Sequence, residues 1–142
     1  MSASFVINLQ KESLMKNLFV YGTLKAGFSN HYLIADCNFL GKVKTSKKYP
    51  MVAPHYAFPY LIEKEGIGYH IEGELFSVDD NKLRLLDELE GVPEHYYRKS
   101  IEVIDVHENV VSAECYFVTN FKNFIDNEYL KNFENPFNED GA

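Results

Sequence analysis

The sequence predicts an α+β fold, a small β-barrel or curled sheet with two or more short helices. Three observations predict it: β-prone runs outnumber helical ones, strands and helices do not alternate as in a βαβ protein, and no repeat or low-complexity linker divides the chain. A length of 142 residues fits one domain, because two would each be too small to bury a dependable core. We expect residues 1–16 to be a loosely held N-terminal extension and 17–142 to be that single domain.

Five segments have strand patterns. Residues 18–21 form a short apolar run that Gly22 ends, which is typical of a buried strand entering a turn. The other predicted strands are rich in β-prone residues, in part with alternating polarity, and they cover residues 39–45, 69–78, 97–106 and 110–118. A turn at 107–109 would join the last two strands into a hairpin.

One long helix is predicted over residues 80–90. Asp79 can cap its first turn, and Gly91 followed by Pro93 would end it. Leucines recur at helical spacing and predict the face that packs on the sheet; they are Leu83, Leu85, Leu86 and Leu89.

Two further short helices are predicted, over residues 31–35 after a potential cap at Asn30 and around residues 124–133. Between them, residues 49–68 contain three prolines and many aromatic residues. This pattern predicts an irregular loop with short extended pieces.

Composition narrows the possible functions. The chain has 14 Lys and Arg against 21 Asp and Glu, a net charge of −7, so we expect neither a nucleic-acid nor an anionic-membrane partner. Two cysteines cannot build a disulfide framework, and five dispersed histidines predict no metal site. The apolar runs are too short for a transmembrane helix or a signal peptide. We therefore expect a cytoplasmic, soluble domain.

The turn after the first strand is one candidate site. Gly22 and Gly27 have the spacing that opens a phosphate-binding loop, but Phe28-Ser29 stands where Lys-Ser/Thr is required, so nucleotide binding is rejected. The backbone N–H groups of such a turn can hold a carboxylate or a carbonyl oxygen. The alternative is a plain connecting turn.

The acidic end of the long helix is the second candidate. Asp87, Glu88 and Glu90 lie in its last turn, where the helix macrodipole disfavours anions by about 0.3–1 kcal/mol each. Partial burial beside the leucine stripe would raise a carboxyl pKa there toward the value that a general base needs. The alternative is a solvated acidic surface.

Taken together, these motifs resemble the γ-glutamylcyclotransferase-like family, and most closely its γ-glutamylamine cyclotransferase (AIG2-like) branch. The resemblance covers about residues 17–120. Its motifs are residues 19–25 (Phe-Val-Tyr-Gly-Thr-Leu-Lys) with Gly27, Asn30 and His31, residues 73–76 (Gly-Glu-Leu-Phe), residues 86–91 (Leu-Asp-Glu-Leu-Glu-Gly) and residues 96–98 (Tyr-Tyr-Arg). Residues 49–52 and 58–61 also fit this branch.

The resemblance implies a small mixed barrel whose cavity opens near the first turn. It implies that the α-amine of a γ-glutamyl group attacks its own γ-carbonyl, which releases 5-oxoproline and a free amine without any cofactor or metal. Glu90 would be the catalytic proton carrier. Substrate would be bound by Tyr21, Gly22, Thr23, Leu24, Tyr96 and Tyr116.

Three functions remain open from the sequence. The first is a cyclotransferase for γ-glutamyl amines such as γ-glutamyl-ε-lysine. The second is the same reaction on γ-glutamyl amino acids or another γ-glutamyl metabolite, and the third is a non-catalytic small-ligand-binding domain. In each case the partner is a small molecule; the oligomeric state is not predicted.

Overall fold

A computed structural model describes residues 15–54, 58–120 and 128–134. Within these ranges the chain forms seven strands, one α-helix and one 3₁₀ turn. In chain order they are β1 (Lys16–Val20), the 3₁₀ turn (His31–Leu33), β2 (Asn38–Tyr49), β3 (Met51–Val52), β4 (Tyr60–Leu61), β5 (Tyr69–Val78), α1 (Asp80–Leu89), β6 (Tyr96–Asp105) and β7 (Val110–Val118).

Five of the strands close into a barrel in the order β1-β5-β2-β6-β7. Neighbouring strands pair antiparallel, except that β1 runs parallel to β7, with Leu18 opposite Glu114. The predicted α+β barrel is therefore confirmed. Strands β3 and β4 form a separate two-stranded ribbon within the segment that the sequence predicts to be irregular.

The barrel interior follows from the alternation along its strands. Ile71 and Leu75 of β5 point inward with Phe19, and all three are almost fully buried. Gly73 lies between the two inward residues of β5 because a Cβ there would come within 2.3 Å of the Val20 carbonyl oxygen. A side chain at this position would push β1 away from β5.

Helix α1 begins as predicted, with the Asp79 carboxylate accepting a hydrogen bond from the Lys82 amide at 2.7 Å. Leu83 and Leu86 pack against the outer face of β1 and β5, in a second apolar cluster. The leucine face that packs on the barrel is narrower than the sequence predicts. Leu85 and Leu89 are 43% and 56% exposed, so that a two-leucine stripe is what joins the helix to the barrel.

The shorter helices differ from their predictions. The helix over 31–35 is a single 3₁₀ turn, and Asn30 does not cap it, because its side-chain amide donates to the Thr23 hydroxyl instead at 2.9 Å. Of the predicted helix around 124–133, residues 124–127 lie outside the described residues and the remainder is not helical.

Strand β2 continues four residues beyond its predicted end, through an irregularity in its pairing with β5 between Lys44 and Lys48. The predicted N-terminal extension lies outside the described residues apart from its last two, of which Lys16 begins β1. Within the described ranges, no helix has the length and apolarity needed to cross a membrane.

Residues 128–134, which we call the C-terminal segment, pack across the barrel. The Leu130 amide donates to the Met51 carbonyl and the Glu72 amide donates to the Lys131 carbonyl, both at 2.8 Å. The buried Lys25 ammonium donates to the Phe133 carbonyl at 2.7 Å, and burial lowers the pKa of this lysine. Since Lys25 directly follows the turn after β1, this bond ties that turn to the segment.

Candidate active site

A cavity of about 650 Å³ opens between the turn after β1 and the end of α1. This volume is typical of a small-molecule site. Every candidate site residue of the sequence analysis contributes to its wall: Tyr21, Gly22, Thr23, Leu24, Glu90, Tyr96 and Tyr116. A larger depression of about 950 Å³ lies beside β2 and β5 and contains none of them.

In the turn of residues 21–24, the main-chain carbonyl groups of Gly22 and Thr23 accept hydrogen bonds. The Gly22 carbonyl accepts from the Lys25 amide at 3.1 Å, and the Thr23 carbonyl accepts from the Asn30 amide at 2.9 Å. Among the described residues, none accepts a hydrogen bond from the amides of Gly22, Thr23 or Leu24. Such consecutive free N–H groups form a concave site for a carboxylate.

Gly22 is required by close packing. A Cβ at this position would come within 2.7 Å of the Pro59 ring. The ring therefore lies directly against the turn and forms part of the same cavity wall. The sequence predicts a glycine-containing turn here but not this contact.

The Tyr21 side chain links the turn after β1 to strand β7 in the cavity wall. Its hydroxyl donates to the Tyr116 main-chain carbonyl at 2.6 Å and accepts a hydrogen bond from the Leu61 amide. Burial raises the pKa of this phenol well above its ordinary value. Both hydrogen-bonding capacities of the hydroxyl are thus used inside the protein, so that a role of Tyr21 in substrate binding would fall to its main chain.

The main chain determines the direction of Glu90. The helix ends in a Schellman motif, in which the Gly91 amide donates to the Glu88 carbonyl at 3.1 Å and the Val92 amide donates to the Asp87 carbonyl at 3.0 Å. Gly91 has a φ of 69°, the left-handed conformation that this motif needs. Glu90 is the last residue before that reversal, which is how its side chain comes to line the cavity.

The Glu90 carboxylate is half-buried and has no side-chain partner in the described part of the chain. Burial raises the pKa of this carboxyl group. Its charge in turn contributes to the raised pKa values of Tyr96 and Tyr116, although burial is the larger cause for both phenols. A carboxyl group of raised pKa among phenols, open to a cavity, is suited to proton transfer near neutral pH.

A charged network lies behind the cavity wall. The Arg98 guanidinium binds both oxygens of the Asp87 carboxylate, at 2.9 and 3.1 Å, and also contacts Glu114. The Tyr116 hydroxyl donates to the same Asp87 carboxylate at 2.7 Å. The sequence predicts no partner for Asp87, since Arg98 and Tyr116 come from strands that follow the helix in the chain.

Tyr96 forms the opposite side of the cavity. Its hydroxyl contacts the Pro59 carbonyl at 3.3 Å, and its ring stacks on Tyr60 with 6.2 Å between the ring centres.

In the described part of the chain, no three His, Cys, Asp or Glu side chains converge in a way that could hold a metal ion.

Residues 18–134 match the family model described as Gamma-glutamyl cyclotransferase, AIG2-like. An Arabidopsis thaliana protein that carries the name gamma-glutamylcyclotransferase provisionally is 46% identical over 93 residues, which are 61% of this chain and 50% of that protein. Gamma-glutamylaminecyclotransferase A of Danio rerio is 37% identical over 115 residues, 77% of this chain and 71% of that protein.

The fold matches as well. The crystal structure of an AIG2-like protein from Mus musculus superposes with a TM-score of 0.81 at 29% identity, over 90% of this chain and 93% of that one. The family model spans most of the chain, including the last three residues of β1 with the turn that follows, Glu90 and the strands that carry Tyr96 and Tyr116. The chain therefore belongs to the gamma-glutamyl cyclotransferase, AIG2-like family of enzymes.

Proposed function

We propose that the chain is a γ-glutamylamine cyclotransferase, which closes the glutamyl group of a γ-glutamyl amine to 5-oxoproline and releases a free amine such as lysine. One observation carries the proposal: the carboxylate of Glu90 lines the same cavity as the amides of residues 22–24, and no described residue forms a hydrogen bond with either. The names of relatives such as the Danio rerio protein support an amine as the leaving group.

The free amides suit the α-carboxylate of the glutamyl group. An anion held by Gly22, Thr23 and Leu24 would fix one end of the substrate and allow its chain to fold back on itself. Closure of a five-membered ring within one bound molecule gains strongly from such positioning. The nucleophile is the substrate's own amine, which is why the protein needs no nucleophilic side chain.

Glu90 would carry the protons. It takes a proton from the α-ammonium, and the resulting amine attacks the γ-carbonyl carbon, which forms the new C–N bond. The carboxyl group then gives its proton to the amide nitrogen as the old C–N bond breaks. Over the whole reaction the α-nitrogen loses two protons and the leaving nitrogen gains two, ending as an ammonium, so that Glu90 is ionised again at the end.

Release of 5-oxoproline from γ-glutamyl-ε-lysine tests the proposal. We expect Glu90→Gln to lower kcat/KM by about 10²–10⁴-fold, the usual contribution of a general base. Glu88→Gln is the matched control, since it removes a charge from the same helix end but does not line the cavity. Equal activity of Glu90→Gln and wild type would contradict the assignment.

The leaving group is tested with a panel of γ-glutamyl conjugates, because only the part of the cavity beyond the scissile bond senses it. We expect γ-glutamyl amines to react faster than γ-glutamyl amino acids. The opposite order would favour the second function left open by the sequence. Calorimetric binding of 5-oxoproline with no turnover of any conjugate would favour a non-catalytic binding domain.

A further inference from the structure

Two phenols that line the cavity, Tyr96 and Tyr116, already donate their hydroxyl hydrogens to acceptors within the protein. Tyr116 gives its hydroxyl proton to the Asp87 carboxylate at 2.7 Å, and Tyr96 directs its own to the Pro59 carbonyl at 3.3 Å. A phenol that donates elsewhere can offer only the lone pairs of its oxygen to a further partner. Both residues are thus acceptors, not donors, toward a molecule in the cavity.

The hydrogen bond from the Tyr116 hydroxyl to Asp87 is stabilised by a neighbouring ion pair. Arg98 holds Asp87 through two hydrogen bonds, which orient its carboxylate. An ionised acceptor binds a hydroxyl more strongly than a neutral one does, and a hydroxyl that donates becomes a better acceptor. The network behind the wall therefore sets the polarity of a group that lines the cavity.

Glu90 adds a third acceptor. Its ionised carboxylate contains no hydrogen, and no described residue donates to it. Glu90, Tyr96 and Tyr116 all line this cavity, so the three groups face the same space. Three acceptors and no donor match a group that has three N–H bonds, a positive charge and no lone pair.

We propose that Tyr96, Tyr116 and Glu90 together form the subsite for the α-ammonium group of the substrate, in which the two phenolic oxygens accept hydrogen bonds from that group. This inference rests on the proposed function and assigns the two tyrosines a specific part in it. The subsite holds the charged α-nitrogen next to the carboxylate that removes its proton. It selects ligands with a free primary ammonium over otherwise identical ligands that lack one.

The test compares two ligands that differ only in that group. One is γ-glutamyl-ε-lysine, measured by its KM, and the other is its 2-deamino analogue, a glutaric acid monoamide, measured by its inhibition constant. We expect Tyr116→Phe and Tyr96→Phe each to raise KM about ten-fold, the usual effect of losing a hydrogen bond to a charged group. The inhibition constant of the deamino analogue should change less than about two-fold.

Tyr97→Phe is the control, because this phenol also donates to a carboxylate, that of Glu63, but does not line the cavity. Equal weakening of both ligands in the Tyr96 and Tyr116 variants would mean that the tyrosines only shape the wall, and it would overturn the subsite. Unchanged values for both ligands would overturn it as well.

Failure of the proposed function gives a different result, namely no 5-oxoproline from the wild-type protein. In that case calorimetric dissociation constants for the same two ligands replace KM and the inhibition constant. A preference for the ammonium ligand that falls in Tyr116→Phe still supports the subsite. Equal affinity of the wild type for the two ligands rejects it.

Discussion

Replacement of Gly91 by alanine should separate the direction of Glu90 from its chemistry. Gly91 has a φ of 69°, and a residue with a Cβ pays about 1–2 kcal/mol in this conformation. The added Cβ also comes within 2.8 Å of the His95 ring, an exposed side chain that can move aside. We therefore expect a loss of about 1–2 kcal/mol, which for a domain of this size lowers Tm by roughly 3–8 °C.

The catalytic activity of Gly91→Ala should fall together with its stability. If the Schellman motif loosens, the Glu90 carboxylate shifts, and a displacement of about 1 Å can cost up to about 10²-fold in rate. Gly91→Asn should recover part of both losses, because asparagine tolerates the left-handed conformation better than alanine. The assays are thermal unfolding and kcat/KM for 5-oxoproline release.

Gly66→Ala is the matched control. Gly66 has a φ of 89°, and a Cβ there meets nothing within 4 Å. This variant should lose comparable stability and keep wild-type kcat/KM below its unfolding temperature. A Gly91→Ala protein with unchanged stability and activity would refute the view that the main chain directs Glu90.

Three further predictions concern stability. Burial raises the pKa of Glu90 in the folded protein, so above the ordinary carboxyl pKa the folded state binds more protons than the unfolded state and loses stability as pH rises. Glu90→Gln removes this effect and should therefore raise Tm at about pH 7 but not at about pH 4. Scanning calorimetry measures both values. Lys25→Met leaves carbonyl groups of the C-terminal segment 128–134 without a donor and should lower the unfolding free energy by about 1–3 kcal/mol, with faster amide exchange in that segment. In urea titrations, Leu86→Ala should cost about 2–5 kcal/mol, and the exposed Leu85→Ala less than about 1 kcal/mol.

Local patterns predicted much of the fold. Strands β5 and β7 have the predicted boundaries, because residue patterning within each strand reflects the two faces of the sheet. Helix α1 was predicted to within one residue at its end, since Asp79 and Gly91 cap it by local hydrogen bonds. The extension of β2 was missed because four consecutive polar residues, 45–48, and an irregular register hide its alternation.

Some features of the candidate site could be predicted from the sequence, and others could not. The acidic end of α1 could be singled out because carboxylates at a helix C-terminus are electrostatically unfavourable, and the family resemblance then assigned the catalytic role to Glu90. The partnership of Asp87 with Arg98 and Tyr116 could not, because it depends on how β6 and β7 lie against the helix. For Tyr21 the residue was predicted to line the cavity, but the burial of its hydroxyl depends on contacts with Leu61 and Tyr116, which are distant in sequence.

The strand that closes the barrel also leads into the turn that contains the amides of residues 22–24. Strand β1 has its partners in β5 and in β7, and its contact with β7 joins Leu18 to Glu114 across most of the chain. Contacts of such long sequence separation tend to form late in folding. Chains whose barrel is still open therefore lack the complete cavity in which we propose catalysis. Turnover should disappear together with cooperative structure in a denaturant titration, and a truncation that removes residues 16–20 should abolish both at once.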